Sequence, residues 1–251
     1  MKDRLELPGR SLAAHIAEPS GTNRVPGLVL SHGYPSGMGG SATSARTYPE
    51  LADRIAKEMG WLVVAFNFRG CGTSAGNFSL GGWLEDLQDV VTWLGDAPRS
   101  AGVWCGGFGT GGALAICAAA RRPDIRGVAA LGAPADFDDW AGHPKRLLQH
   151  ARDIGAITDP RFPTAPDGWG RELRDIRAVA SVGELRPRPL LVIHGSEDES
   201  VPPFDGRVIS DAHGSAELRI IAGAGHRLRH DPRAVAILLG WLDRQRHRVP
   251  V

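Results

Sequence analysis

The sequence predicts an α/β protein built on a mostly parallel central sheet of about eight strands flanked by helices. Three observations carry that expectation. Short apolar runs without polar alternation recur at residues 27–31 (GLVLS), 61–67 (WLVVAFN), 101–105 (AGVWC), 126–132 (RGVAALG) and 189–194 (PLLVIH). Strands covered on both faces read this way. Stretches of helical period lie between them, and the 33 glycines and 18 prolines punctuate the joins rather than forming a low-complexity tract.

In order, residues 3–7 and 10–17 alternate in polarity around Pro8-Gly9 and predict an antiparallel hairpin at a sheet edge. The strand at 27–31 follows. Residues 49–60 place Leu51, Ile55, Ala56 and Met59 on one helical face. After the strand at 61–67, residues 83–94 place Leu84, Leu87, Val90, Val91 and Leu94 on one stripe, with Glu85, Asp86 and Asp89 opposite. The strand at 101–105 runs into an alanine-rich, apolar stretch at 111–121, which predicts a buried helix. Beyond the strand at 126–132 the alternation breaks. Residues 134–185 hold Trp140, Trp169 and helical patterns near 144–154 and 169–180. Such an excursion is expected over the carboxyl ends of the strands, where open sheets bind ligands, as a cap inserted into a single domain spanning 1–251. The strands at 189–194 and 217–221 (ELRII) and a helix at 235–242, running into a basic tail, complete the chain.

Composition narrows the function. The 251 residues carry a formal net charge of +1, so the basic stripe of a nucleic-acid binder is not expected. No run of 18 apolar residues occurs, so no membrane span is expected, and the charged start MKDRLELPGR predicts no signal peptide. Cys71, Cys105 and Cys117 form no CxxC pair, which favours a reduced, cytoplasmic setting. No motif calls for a cofactor or a metal.

The chemistry should lie at VWCGGFGTGGALAI, residues 103–116, where apolar strand passes into apolar helix through a glycine-rich turn. The chain here resembles the α/β-hydrolase superfamily, specifically the dienelactone-hydrolase and serine-aminopeptidase-like esterases, whose elbow G-x-S-x-G exposes a serine above the sheet. The elbow reads Gly107-Phe108-Gly109-Thr110-Gly111, so Gly109 stands in the serine's place. The resemblance implies that the other parts are kept. HGSEDESVP, residues 194–202, maps the triad acid onto Asp198 rather than Glu197 or Glu199. IAGAGHRL, residues 221–228, supplies the histidine, His226. VLSHGYPSG, residues 29–37, resembles the family's HG loop, whose Tyr34 N–H would share an oxyanion hole with the Thr110 N–H.

FNFRGCGTSAG, residues 66–76, matches the family's R-G-x-G-x-S loop, and its Gly72-Thr73-Ser74-Ala75-Gly76 satisfies G-x-S-x-G letter for letter. Ser74 nonetheless lies well past its strand, and residues 77–80 do not read as a helix start, so a nucleophile is not expected there. Cys71 and Thr110 are equally poor nucleophile candidates. Glycine at the elbow relieves the strain that a side chain bears at positive φ, so it is the stabilising replacement once selection for acyl transfer lapses. A deliberate knockout would leave the same residue. The sequence therefore predicts a hydrolase-fold protein that binds a small molecule under residues 134–185 without serine chemistry. The alternatives are a hydrolase of small esters or amides using water activated by His226 and Asp198 or another nucleophile, and a non-hydrolytic reaction in the same pocket.

Overall fold

The computed structural model describes residues 3–36 and 39–247. Gly37, the last residue of the HG loop motif, and the end of the basic tail lie outside the described residues. A single eight-stranded sheet runs in the order β1-β2-β4-β3-β5-β6-β7-β8. Its strands are β1 Asp3–Leu7, β2 Arg10–Ala17, β3 Val25–Ser31, β4 Leu62–Phe66, β5 Ser100–Phe108, β6 Ile125–Leu131, β7 Leu190–Gly195 and β8 Glu217–Ile221. The hairpin β1–β2 pairs antiparallel, β2 meets β4 antiparallel, and every pairing from β4 to β8 is parallel. The chain steps outward from β3 to β4 and then returns to the other side of β3 with β5. Strand order therefore reverses between β3 and β5, and the crevice beyond their carboxyl ends is where an open sheet binds ligands.

Side-chain alternation sorts each strand onto two cores. Val29 of β3 and Leu62, Val64 and Phe66 of β4 face α2 (Leu80–Asp96), α3 (Thr110–Arg121) and α8 (Pro203–His213). Leu28 and Leu30 of β3 and Val63 and Ala65 of β4 face α1 (Tyr48–Met59) and α9 (Pro232–Arg246). Both faces are covered, which is why these strands read as unbroken apolar runs.

Two local expectations change. Residues 77–80 do start a helix: Ser79 caps α2, its hydroxyl accepting the Gly82 N–H at 3.0 Å. The poor helix propensity of Gly81-Gly82 hides that start, and the cap together with the Trp83 packing outweighs it. Asp86, placed by periodicity on the polar face, is fully buried. Its carboxylate accepts from the Arg69 backbone N–H at 2.9 Å and from the Arg69 guanidinium at 2.8 and 3.0 Å, and Arg10 Nε pairs with it at 2.8 Å. Periodicity reports which face a residue occupies and says nothing of a loop folded across that face.

Between β6 and β7 lie α4 (Asp138–Gly142), α5 (Pro144–Asp153), α6 (Pro166–Asp175) and α7 (Ala178–Ser181). This segment is tied to the loops that follow β3 and β4. The Ser41 N–H donates to Ile154 O at 2.9 Å, and the Phe78 N–H donates to Ala156 O at 2.8 Å.

Candidate active site

The turn from β5 to α3 is built by close approach. A Cβ on Gly107 would stand 2.3 Å from the Gly111 carbonyl oxygen, so only glycine lets the first turn of α3 fold back on the strand. Gly109 then sits at φ 53°, ψ −126°, a backbone state that costs a residue with a Cβ on the order of 1–3 kcal/mol. Its N–H donates to Leu131 O at 2.8 Å, and its carbonyl accepts from Gly112 and Ala113, so the turn is held from both sides. Space is not what excludes a side chain. A Cβ there would meet His226 Nε2 at 3.4 Å and Gly33 Cα at 3.5 Å, both ordinary contacts.

His226, in the loop after β8, aims at this position. Its Nδ1–H donates to Asp198 Oδ2 at 2.8 Å, leaving Nε2 toward Gly109. Asp198, in the loop after β7, is saturated: Oδ1 accepts the Ser200 and Val201 N–H groups at 2.9 Å each. Burial alone would raise the Asp198 pKa, but hydrogen bonds from His194, His226 and Val201 outweigh it and hold the carboxyl well below the usual range. His194 was not singled out from the sequence. It is fully buried, donates through Nε2 to Val201 O at 3.0 Å, and lies 3.4 Å from Asp198 Oδ2. The signal was its place four residues before Asp198, at the end of an apolar strand.

The HG loop is fixed by His32. The Phe68 N–H donates to its Nε2 at 3.2 Å, so the proton sits on Nδ1, which donates to Gly33 O at 2.7 Å. Burial pulls the His32 pKa down to about 4. The unfolded chain therefore takes up this proton near pH 6.5 and the folded chain only near pH 4. Folding stability should fall as pH drops through that window, by about 3 kcal/mol from this residue. Denaturant titrations of the wild type and His32→Asn across pH 4–7 check it: the difference between the two should shrink toward acid, and parallel profiles would contradict the buried neutral ring. Beyond Gly33, the Tyr34 N–H has no acceptor among the described residues, and neither has the Thr110 N–H at the start of α3.

The segment after β6 reaches the same place. A cavity of about 490 Å³ opens between Tyr34, Gly109, Thr110, His226, Phe137 and Trp140. Tyr34 packs edge-on against Trp140 at 5.0 Å and Phe78 at 5.1 Å. Gly109, Asp198, His226, Tyr34 and Thr110 are thus gathered at one end of the sheet. Ser74 is not among them: it is buried, donates to Asn67 O at 2.7 Å and accepts the Ala13 N–H at 2.9 Å, which staples its loop to β2. The cysteines are free and buried, and burial lifts Cys71 and Cys105 to about 12 and Cys117 to about 11.

A doubly covered parallel sheet, a strained strand–turn–helix after β5, and an acid and a histidine after β7 and β8 define an α/β-hydrolase. Residues 8–166, more than half of the chain, match the X-Pro dipeptidyl-peptidase (S15 family), and the chain belongs to that family. It is 24% identical over 242 residues to the human mitochondrial palmitoyl-protein thioesterase ABHD10, covering 91% of this chain and 76% of that protein. It is 26% identical over 247 residues to a monoacylglycerol lipase of Mycolicibacterium smegmatis, covering 84% of each. Among solved structures the fold is similar to the α/β hydrolase GrgF from Penicillium sp. sh18, with a TM-score of 0.75, 20% identity and 98% of both chains covered. Mouse α/β hydrolase domain-containing protein 10 superposes with a TM-score of 0.70 at 19% identity over 99% of both chains. No helix among the described residues is long and apolar enough to cross a membrane.

Proposed function

We propose that the protein binds a small acyl compound over Gly109 without serine-type acyl transfer, the segment 134–185 acting as a cap and the Tyr34 and Thr110 amides as an oxyanion hole. The observation that carries this reading is the position of Gly109. Its absent Cβ would stand 3.4 Å from His226 Nε2, in the strained turn where a nucleophile belongs, yet no hydroxyl is attached there. Asp198 orients His226, and two amides stand ready for an oxygen, so a bound carbonyl meets every part of the machinery except the attacking atom. The names of its relatives point to acyl derivatives as ligands: a thioester, a glycerol ester and a peptide. The buried free thiols fit a reducing compartment such as the cytoplasm. The test is a fluorophosphonate probe. The protein should give no covalent adduct by intact mass, and stoichiometric labelling of Ser74 or any other serine would overturn the reading.

A second reading draws on the same space. His226 Nε2 faces the gap left by the missing side chain, and a water held there has the His226–Asp198 pair as its base. Slow turnover of activated esters that is abolished by His226→Ala would favour it over binding alone.

A further inference from the structure

Gly109 and His226 stand on the boundary between two cavities of opposite character. The cavity on the cap side contains Asp136, Asp139, Glu199 and Asp205 and neither arginine nor lysine. The cavity on the other side, also about 490 Å³, is lined by Ser36, Ser44, Thr47, Arg227, Arg229 and His230 beside Gly109 and His226, and its described lining contains no aspartate or glutamate. Of its two arginines, Arg227 is exposed and Arg229 is half-buried. The Arg229 guanidinium lies over the Tyr48 ring at 5.9 Å, and one Nη donates to the Thr47 carbonyl. Its Nε is buried with no acceptor, and no carboxylate lies within ion-pairing distance among the described residues. Glu50 is an exposed carboxylate that reaches Arg229 only through its longer-range field. A half-buried guanidinium with neither carboxylate nor full hydration bears a desolvation cost that an incoming anion would offset.

We propose that this cavity is a carboxylate subsite, resting on the reading of Gly109–His226 as the ligand site. A ligand with its acyl carbon over Gly109 extends a carboxylate to Arg229, and its uncharged remainder lies toward Trp140 and Phe137. The planar fork of arginine matches a carboxylate, and with Arg227 exposed to water the one half-buried, unpaired guanidinium is balanced by one negative charge rather than the two of a phosphate. Asp136 and Asp139 have Arg177 and Arg146 as ion-pair partners, but Glu199 and Asp205 have none among the described residues and oppose the reverse orientation, so the two cavities fix the ligand's direction.

The probe is monoethyl adipate, which carries an ester and a carboxylate, compared with its neutral counterpart ethyl 5-carbamoylpentanoate by calorimetric titration of the intact protein. The acid should bind at least about tenfold more tightly than the amide, and Arg229→Met should bring the two within about twofold of each other. Arg54→Ala, which removes an exposed arginine outside both cavities, should keep the preference. If Arg229→Met does not fold, Arg229→Lys carries the test, since it retains charge without the fork and should lose at least about threefold of the preference. Equal binding of acid and amide by the wild type, including no binding of either, overturns the proposal, as does a preference that survives loss of Arg229. Inorganic phosphate binding more tightly than acetate in an Arg229-dependent manner overturns the choice of carboxylate. Because the readout is binding, it is independent of the phosphonate result: adduct formation by the wild type would defeat the missing-nucleophile reading while an Arg229-dependent acid preference still stood, and the reverse pair of results would defeat the subsite alone.

Discussion

Gly109→Ser should make the protein label stoichiometrically with a fluorophosphonate and hydrolyse activated esters at least about 10²-fold faster than its parent. The added Cβ meets only ordinary contacts, and from it a hydroxyl reaches hydrogen-bond range of His226 Nε2, which lies 3.4 Å from the Cβ itself. Asp198 already accepts the other imidazole proton, and the amides of Tyr34 and Thr110 have no competing acceptors. Loss of a catalytic serine costs about 10⁶ in kcat in a complete triad, so the full reverse gain is the ceiling. The same substitution should lower stability by about 1–3 kcal/mol, because a side chain returns to φ 53°. The two readouts probe separate links. Lost stability without reactivity would mean the turn is strained as described but the base or the amides are misaligned for attack. Reactivity at unchanged stability would mean the turn relaxes around the serine. Neither change would defeat the elbow assignment.

What the sequence disclosed follows from how local each signal is. The strands β3 to β7 were legible because burial on both faces leaves unbroken apolar runs, the hairpin β1–β2 because its polarity alternates around Pro8-Gly9, and the turn after β5 because five of the seven residues 106–112 are glycine. Asp198 and His226, 28 residues apart in sequence, were found through motif resemblance, since no periodicity links two loops. His194, the Asp86 network and the cavity around Arg229 were missed for one physical reason. Each depends on segments distant in the chain being laid side by side, as when the loop after β4 folds across α2 or the residues after β8 come to rest on Thr47 and Tyr48. Arg229 in particular reads as one more surface arginine until its missing carboxylate becomes visible.

The Asp86 network is where removing one atom group should cost most in stability. Asp86→Ala leaves Arg69 and Arg10 without their shared carboxylate and the Arg69 backbone N–H without its acceptor. Breaking a buried ion pair from one side costs about 3–5 kcal/mol. Both guanidinium side chains retain about a fifth of their exposure and regain some hydration, so the lower end, about 3 kcal/mol, is the expected loss in urea unfolding. A loss under about 1 kcal/mol would show that Asp86 is not what anchors the loop. The effect should also reach the site. Arg69 O accepts the Trp83 indole N–H at 3.0 Å, Phe68 stacks on Trp83 at 4.4 Å, and the Phe68 N–H donates to His32, which holds Gly33 beside Gly109. In a Gly109→Ser background, then, Asp86→Ala should slow phosphonate labelling at temperatures where the protein remains folded. An undiminished rate would mean the HG loop keeps its place without the Arg69 anchor, and that Asp86 acts on stability alone.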